Sequence, residues 1–110
     1  SHEPCSMCLS AITFAGFDNF YYLFPYADTN SEFNIPHDLN ILKEVFKIND
    51  GDYNKENYYW KSQNINLLIE NLSTSKKKII LNQLDEIKKK YLILSNQYQK
   101  NKDGNSIPLN

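Results

Sequence analysis

The sequence of 110 residues predicts an α/β domain, and three observations lead to that fold class. A short helical pattern near the amino terminus is followed by an aromatic run that is apolar on both faces. Such a run is typical of a strand that helices cover on both sides. A long amphipathic helical pattern then closes the sequence. At this length the chain is one small domain, and 41% apolar and 14% aromatic residues are enough to form its core.

The first two elements are predicted from residues that stop and start regular structure. A helix is predicted over residues 4–15, because Pro4 needs no backbone donor in a first turn and Gly16 supplies a stop. The aromatic run that follows lies between Gly16 and Pro25. This predicts a buried strand at residues 19–24.

The middle of the chain predicts a loop and two further helices. Residues 25–36 show no periodic pattern and are expected to form a loop. A second helix is expected from Asp38 to Lys47, ended by a turn at residues 49–52. Residues 52–61 are polar with interspersed aromatic residues. A third helix is expected over residues 62–72, where apolar residues recur at helical spacing: Ile65, Leu68, Ile69 and Leu72.

The last helix is predicted over residues 75–100. Its apolar residues are spaced four and three apart in alternation, which is a short heptad pattern. They are Ile80, Leu84, Ile87, Tyr91, Leu94 and Tyr98. The stripe indicates a helix packed on its own domain or on a neighbouring helix, and a dimer-forming coiled coil is the alternative. Residues 101–110 are expected to form a flexible tail.

Charge and composition exclude several classes of protein. The net charge is −1, and all twelve basic residues are Lys. Arg, the usual bidentate ligand of phosphate, is missing, which argues against a nucleic-acid binder. Lysine triplets at residues 76–78 and 88–90 could contact RNA phosphates, but a solvated helix face is the favoured interpretation. Without an apolar run of about 20 residues or a secretory signal, we expect a cytoplasmic protein with no membrane contact.

Cys5 and Cys8 are the candidate metal ligands. Residues three apart lie on the same face of a helix, so both sulfurs can point at one ion. The amino-terminal end of a helix favours negative charge and is expected to lower the thiol pKa, and a thiolate is what zinc binds. The spacing is too tight for a useful loop-closing disulfide. A redox dithiol and a pair of reduced core thiols are the alternatives to zinc.

The segment Glu3-Pro4-Cys5-Ser6-Met7-Cys8-Leu9-Ser10-Ala11-Ile12 resembles the second half of the zinc deaminase signature. It is most similar to the branch that holds guanine deaminases and tRNA adenosine deaminases, and the resemblance covers roughly residues 2–48. It implies a three-layer α/β/α fold of the cytidine deaminase kind and a homodimer. It also implies that Cys5 and Cys8 hold a zinc ion, and that zinc-activated water attacks the amine-bearing carbon of a nucleobase or nucleoside.

The family also needs a His or Cys ligand and, two residues later, a catalytic Glu on an upstream helix. No residue matches that half, so no catalytic residue is assigned. We expect the chain to be a C-terminal portion of a deaminase domain, with the missing N-terminal part as its partner. Glu3 is interpreted as an acid at a helix start, not as the proton carrier. His2 is either a substitute third ligand or a loop residue.

Asp38 is the candidate substrate-binding residue. The segment from Asp38 to Val45 is similar to a helix of guanine deaminases, in which an acidic residue near the helix start binds the ring N–H and amino groups of the base. A guanine-like purine is therefore the favoured substrate. The alternative is an ordinary N-cap Asp, and the neighbouring His37 is read as part of a capping loop.

Four aromatic residues could stack on a base or could fill space beneath a loop. They are Tyr53, Tyr58, Tyr59 and Trp60. The predicted organisation is a zinc-binding core portion at 1–48, an aromatic loop and helix at 49–74, the long helix at 75–100 and the tail. The predicted function is zinc-dependent hydrolytic deamination. A non-catalytic zinc module or helix-mediated interaction module is the alternative.

Overall fold

The computed structural model of the protein describes residues 1–106. Contacts along the chain divide it into two compact units, Ser1–Glu70 and a second unit that begins at Asn71. The elements of the first unit are α1 (Ser6–Phe14), β1 (Asn19–Tyr22), α2 (Tyr26–Ser31), α3 (His37–Phe46), β2 (Lys61–Asn64) and α4 (Ile65–Glu70). The second unit contains α5 (Thr74–Asn101). The structure confirms a mixed helix and sheet architecture with a long helix near its carboxyl end.

The sheet of the first unit consists of two parallel strands. β1 pairs with β2 in a register that places Asn19 beside Lys61 and Tyr22 beside Asn64. A parallel pair needs a crossover connection, and α3 lies within it. Beyond β1 the sheet is extended by a bridge between His2 and Phe24, again parallel. The predicted strand at 19–24 is therefore confirmed, with its last two residues paired to the amino-terminal segment instead of β2.

Helix α1 matches the helix predicted over residues 4–15. Cys5 is its N-cap residue, and the helix is followed by Gly16 with φ at +74°. The left-handed conformation of Gly16 ends the helix and turns the chain into β1. Helix α3 likewise matches the second predicted helix, and it is ended by Lys47 in the left-handed conformation.

The loop predicted at residues 25–36 is wrong, because α2 forms within it. Pro25 is the N-cap residue of α2 and contributes no side-chain hydrogen bond. The cap comes from elsewhere, since the Glu3 carboxylate accepts the backbone N–H of Tyr26. A helix of six residues that is capped from 23 positions away leaves no local pattern to detect.

The third helix predicted over residues 62–72 is wrong in its first part. The chain forms β2 there, and α4 begins only at Ile65. The sequence of β2, Lys-Ser-Gln-Asn, has no apolar alternation and low strand propensity. Its strand conformation comes from parallel pairing with β1, which lies about forty residues earlier in the chain.

An aromatic core fills the space between the sheet and the helices. Tyr26, Leu42, Tyr53 and Trp60 form one buried cluster. Trp60 donates its indole N–H to the Thr13 hydroxyl over 2.7 Å, which joins the loop before β2 to α1. Partly buried residues pack around the cluster: Leu9, Ile12, Phe20, Leu39 and Ile48.

The second unit confirms the long helix predicted over residues 75–100. None of the side chains of α5, all within the described part of the chain, is buried. A short 3-10 turn at Lys102–Gly104 follows it, within the region predicted as a flexible tail. The rest of that predicted tail, residues 107–110, lies outside the described residues. Within residues 1–106, no helix is both long enough and apolar enough to cross a bilayer.

Candidate metal-binding site

Cys5 and Cys8 lie together at the amino-terminal end of α1. Their Sγ atoms are 3.2 Å apart. The N-cap residue Cys5 has an extended backbone, and its Sγ accepts the backbone N–H of Cys8 over 3.4 Å. Both thiols are free; Cys5 is half-buried and Cys8 is exposed. The helix thus brings the two predicted ligands to one accessible point.

The distance between the two sulfurs suits a shared tetrahedral ion after a small adjustment. With Zn–S bonds of about 2.3 Å, two sulfurs on one zinc lie about 3.8 Å apart, so the pair must open by roughly half an ångström. Within residues 1–106 no group of three or more His, Cys, Asp or Glu side chains is arranged to hold a metal ion. The donors described here therefore fit half of a zinc coordination shell.

The sequence analysis predicted a lowered thiol pKa, but in the structure the pKa of Cys8 is raised. The hydrogen bond with Cys5 raises the pKa of the Cys8 thiol, and desolvation and nearby negative charge act in the same direction. The hydrogen bond favours the protonated thiol, and burial and nearby negative charge disfavour a thiolate at this position. A bound cation would remove this penalty, because metal ligation deprotonates a coordinating thiol.

The segment before Cys5 is anchored to the end of β1 through its backbone. The Glu3 N–H donates to the Phe24 carbonyl over 2.8 Å, and the N–H groups of Leu23 and Phe24 donate to the Ser1 carbonyl at 3.0 and 3.1 Å. These bonds continue the parallel ladder past Tyr22. The dithiol therefore follows directly after a strand-like segment, at the carboxyl end of the sheet.

Glu3 occupies a different place from the one predicted. It is an acid at a helix start, but the helix is α2 and not α1, and only 4% of the residue is exposed. Its carboxylate accepts the Tyr26 backbone N–H at 3.0 Å, the Tyr53 hydroxyl at 2.9 Å and the Lys55 ammonium at 2.7 Å. These three hydrogen bonds, one of them from a positively charged group, offset the free-energy cost of burying the carboxylate.

Three tyrosines surround this buried carboxylate. Burial, reinforced by the negative charge of Glu3, raises the pKa of Tyr22 to about 12. Burial also raises the pKa of Tyr26 and of Tyr53 far above the ordinary tyrosine value, with Glu3 again adding to the shift. All three phenols stay protonated, so they act as hydrogen-bond donors. We call Glu3, Tyr22, Tyr26, Tyr53 and Lys55 the Glu3 cluster.

The sequence analysis missed the Glu3 cluster. Lys55 completes it by lying 3.5 Å above the Tyr53 ring centroid and by donating to the Gly51 carbonyl over 3.1 Å. Tyr53 and Trp60 are buried in the core, which confirms for these two the prediction that the aromatic residues fill space beneath a loop. Tyr58 and Tyr59 are exposed. The only sequence signal for the cluster was an acidic residue directly before Pro-Cys, which identifies neither Lys55 nor the tyrosines.

His2 is held by a contact outside the dithiol. Its Nδ1 lies 2.8 Å from the Thr29 hydroxyl, and its ring packs against Phe24 and Phe33. Burial lowers the pKa of His2 below its usual value of 6.5. His2 therefore serves the packing between the amino-terminal segment and α2, and no described ligand group unites it with the cysteines.

Asp38 lies in the first turn of α3, two residues after Pro36. Pro36 is the N-cap residue, so the N-cap alternative for Asp38 is wrong, and His37 is a helical residue, not part of a capping loop. Burial raises the pKa of the half-buried Asp38 carboxyl, opposed by the positive charge of His37. The charge of Asp38 also contributes to the raised pKa of Cys8, which places the carboxylate within electrostatic range of the dithiol.

Two open cavities lie on the first unit. One of about 150 Å³ runs along α1 and begins beside Ser6, the residue after Cys5. Its other lining residues are Leu9, Ser10, Leu42, Phe46, Ile48 and Tyr53. A second cavity of about 240 Å³ lies along β2 and α4. Of the predicted site residues, neither Asp38 nor a cysteine lines these two cavities.

Comparison of the chain with protein-family models, with curated proteins and with solved structures found no match.

Proposed function

We propose that Cys5 and Cys8 form the two-thiolate part of the zinc site of a hydrolytic deaminase. The observation that carries this proposal is the pair of sulfurs 3.2 Å apart at the start of α1. It is supported by the order of elements around the pair: a strand-like segment, the dithiol helix, and β1 lying parallel to that segment. The proposal includes the three-layer fold of the cytidine deaminase kind.

Each residue of the site has a distinct task in this proposal. Cys5 and Cys8 hold the ion, which supplies the Lewis acidity that activates water for attack on an amine-bearing carbon. Asp38 binds substrate, because a carboxylate can accept the ring N–H and the amino N–H of a guanine-like purine at once. Its place in the first turn of α3, where the carboxylate is half-buried, supports this task.

The proposal assigns the third ligand and the proton carrier to protein outside these 110 residues. A general acid/base must move a proton to the leaving amine. The proposal gives no such role to Glu3, because its carboxylate is already engaged with Lys55, Tyr53 and the backbone of Tyr26. A coding sequence that places a His-x-Glu or Cys-x-Glu motif before this chain would meet the requirement, and one without either motif would contradict it.

Zinc binding by a reduced protein that includes the His-x-Glu or Cys-x-Glu segment tests the metal site directly. Chelator competition and elemental analysis should find zinc bound to that protein, and the binding should be lost in Cys5→Ser and Cys8→Ser. Ser10→Ala is the matched control, since Ser10 lies on the next turn of α1 and bonds only to the backbone of its own helix. Zinc should also protect both thiols from alkylation, which a redox dithiol would not show. A reduced protein that contains the His-x-Glu or Cys-x-Glu segment and still binds no zinc would contradict the proposal.

The reaction is tested in a protein that includes the His-x-Glu or Cys-x-Glu segment. Ammonia release is measured from guanine, adenine and cytosine and from their nucleosides. Asp38→Asn should lower kcat/KM for guanine while it leaves zinc content unchanged. Unchanged kinetics in Asp38→Asn would show that Asp38 does not bind substrate and only stabilises the start of α3.

A helix-mediated interaction module is the second candidate function, and α5 provides the observation for it. The helix carries seven Lys and two acidic residues, and Ile79, Ile93 and Leu94 are each about 60% exposed. Sedimentation of the chain against that of Leu94→Glu tests whether α5 joins two copies. A monomeric wild-type chain would contradict self-association through this helix.

A further inference from the structure

Tyr26 binds both residues that immediately precede Cys5. Its backbone N–H donates to the Glu3 carboxylate over 3.0 Å, and its hydroxyl donates to the Pro4 carbonyl. One buried residue of α2, 3% exposed, thus holds Glu3 through its backbone and Pro4 through its side chain. Only the bond to Pro4 is removed in Tyr26→Phe. Neither bond is needed to form α1, because Leu9 already bonds to the Cys5 carbonyl as the first helical pair.

The Tyr26 ring is itself fixed in position. A Cβ atom placed on Gly51 would lie 2.4 Å from Cδ2 of the ring, so the turn at Asn49–Gly51 packs directly against it. The ring also meets the Tyr53 ring edge-on at 6.1 Å. A tyrosine that is confined in this way can orient the group to which it donates.

The hydrogen bond to Pro4 acts on the geometry of Cys5. The Pro4 carbonyl belongs to the rigid peptide plane that also contains the Cys5 nitrogen. Once that plane is oriented, the Cβ atom of Cys5 is held in place, because the backbone has φ −64° and its carbonyl is bound by Leu9. The Cys8 backbone N–H, which donates to the Cys5 Sγ, then favours one rotamer and places the sulfur beside that of Cys8.

We propose that Tyr26 is a positioning residue for the dithiol site. By holding Glu3 and Pro4 it keeps the Cys5 sulfur 3.2 Å from that of Cys8, which is within a small adjustment of the separation that a shared ligand requires. That this ligand is zinc rests on the proposed function. The positioning role of Tyr26 does not depend on zinc, so an experiment can refute this role and the proposed function separately.

The test that needs no metal is the equilibrium between the reduced chain and oxidised glutathione. Two cysteine thiols and one glutathione disulfide give one Cys5–Cys8 disulfide and two glutathione thiols, so the equilibrium measures how well the two sulfurs are held together. Tyr26→Phe should lower the equilibrium constant about tenfold, in line with the size of effects from residues that support ligands.

Tyr53→Phe is the matched control. It removes a buried hydroxyl that donates to the Glu3 carboxylate and leaves both bonds of Tyr26 in place. Little change in the exchange equilibrium is expected for this variant. A loss as large as that of Tyr26→Phe would overturn the proposal, because it would show a general effect of the Glu3 cluster. An unchanged equilibrium in Tyr26→Phe would overturn it as well.

Zinc affinity, measured by chelator competition, supplies the second measurement. Tyr26→Phe should weaken zinc binding about tenfold relative to Tyr53→Phe. Circular dichroism tests whether each variant is folded. A variant that is partly unfolded is measured in sucrose, which favours the folded state. In this measurement too the protein includes the His-x-Glu or Cys-x-Glu segment. If it binds no zinc, the proposed function fails, and the glutathione equilibrium still decides the role of Tyr26.

Discussion

The Glu3 carboxylate lies 2.7 Å from the Lys55 ammonium, although 52 positions separate the two residues in the chain. The Glu3 side chain is 3% exposed and that of Lys55 is 40% exposed, so the ion pair reaches from the interior to the surface. It joins the segment before the dithiol to the loop before β2.

Lys55→Met is expected to lower the free energy of unfolding by about 1–3 kcal/mol, because Glu3 would stay buried without its counter-charge. Lys61→Met is the matched control. Lys61 also pairs with an acid, Glu56 at 2.8 Å, but both side chains are more than half exposed, and such pairs contribute less than about 1 kcal/mol. Urea unfolding of the two variants gives the comparison. Equal losses would show that the Glu3–Lys55 pair behaves like a surface pair.

The elements that could be predicted are those that local sequence determines. Pro4 and Gly16 bracket α1, and the heptad stripe from Ile80 to Tyr98 predicts α5. In contrast, α2 depends on a cap from Glu3, and β2 depends on pairing with β1. No local pattern contains either interaction, and the stretches that form these elements were predicted as loop and helix.

In the candidate site, too, only the part that local sequence determines could be predicted. The spacing of Cys5 and Cys8 was enough to predict that the sulfurs meet, because it depends on one turn of helix. The surroundings of the pair were not predictable, since Tyr26 comes from α2 and Tyr53 and Lys55 come from the loop before β2. The direction of the Cys8 pKa shift was mispredicted for a related reason. The effect of the neighbouring sulfur at 3.2 Å exceeds that of the helix end.

Alkaline pH is expected to destabilise the protein through its buried tyrosines. In the folded chain Tyr22, Tyr26 and Tyr53 have a raised pKa, whereas in the unfolded chain tyrosine ionises near pH 10. Above pH 10 the unfolded state therefore binds fewer protons than the folded state, and the free energy of unfolding falls as the pH rises.

Urea unfolding between pH 9 and pH 11 measures this slope. Lysines titrate in the same range, so the slope of Tyr53→Phe is compared with that of Tyr58→Phe, which alters a tyrosine 94% exposed. Tyr53→Phe should give the shallower slope. The same slope in both variants would argue against a burial effect on Tyr53.

Mild acid is expected to destabilise the protein through His2. Burial lowers its pKa in the folded chain, while the unfolded chain binds a proton near pH 6.5. The unfolded state thus binds more protons as the pH falls below about 6.5, and the free energy of unfolding declines. His2→Gln should flatten this part of the stability profile. A titration of the His2 ring by NMR with its midpoint at or above pH 6.5 would contradict the explanation.

Gly51→Ala should destabilise the protein more than Gly16→Ala. Both glycines have a left-handed backbone, with φ at +67° and +74°, so both substitutions introduce backbone strain of about 1 kcal/mol. They differ in the space around the new methyl group. At Gly16 nothing lies within 4 Å, whereas at Gly51 the Tyr26 ring lies 2.4 Å away and must move.

The excess loss in Gly51→Ala over Gly16→Ala therefore measures the cost of displacing Tyr26, which we expect to be about 1–3 kcal/mol. Urea unfolding gives the two free energies, and near-ultraviolet circular dichroism follows the tyrosine environment. Because Tyr26 bonds to the Glu3 carboxylate and the Pro4 carbonyl, its displacement should also expose the Glu3 cluster to solvent. The alkaline stability slope should then become shallower in Gly51→Ala and stay unchanged in Gly16→Ala. Equal free energies of unfolding for the two variants would mean that the Tyr26 ring moves aside without cost.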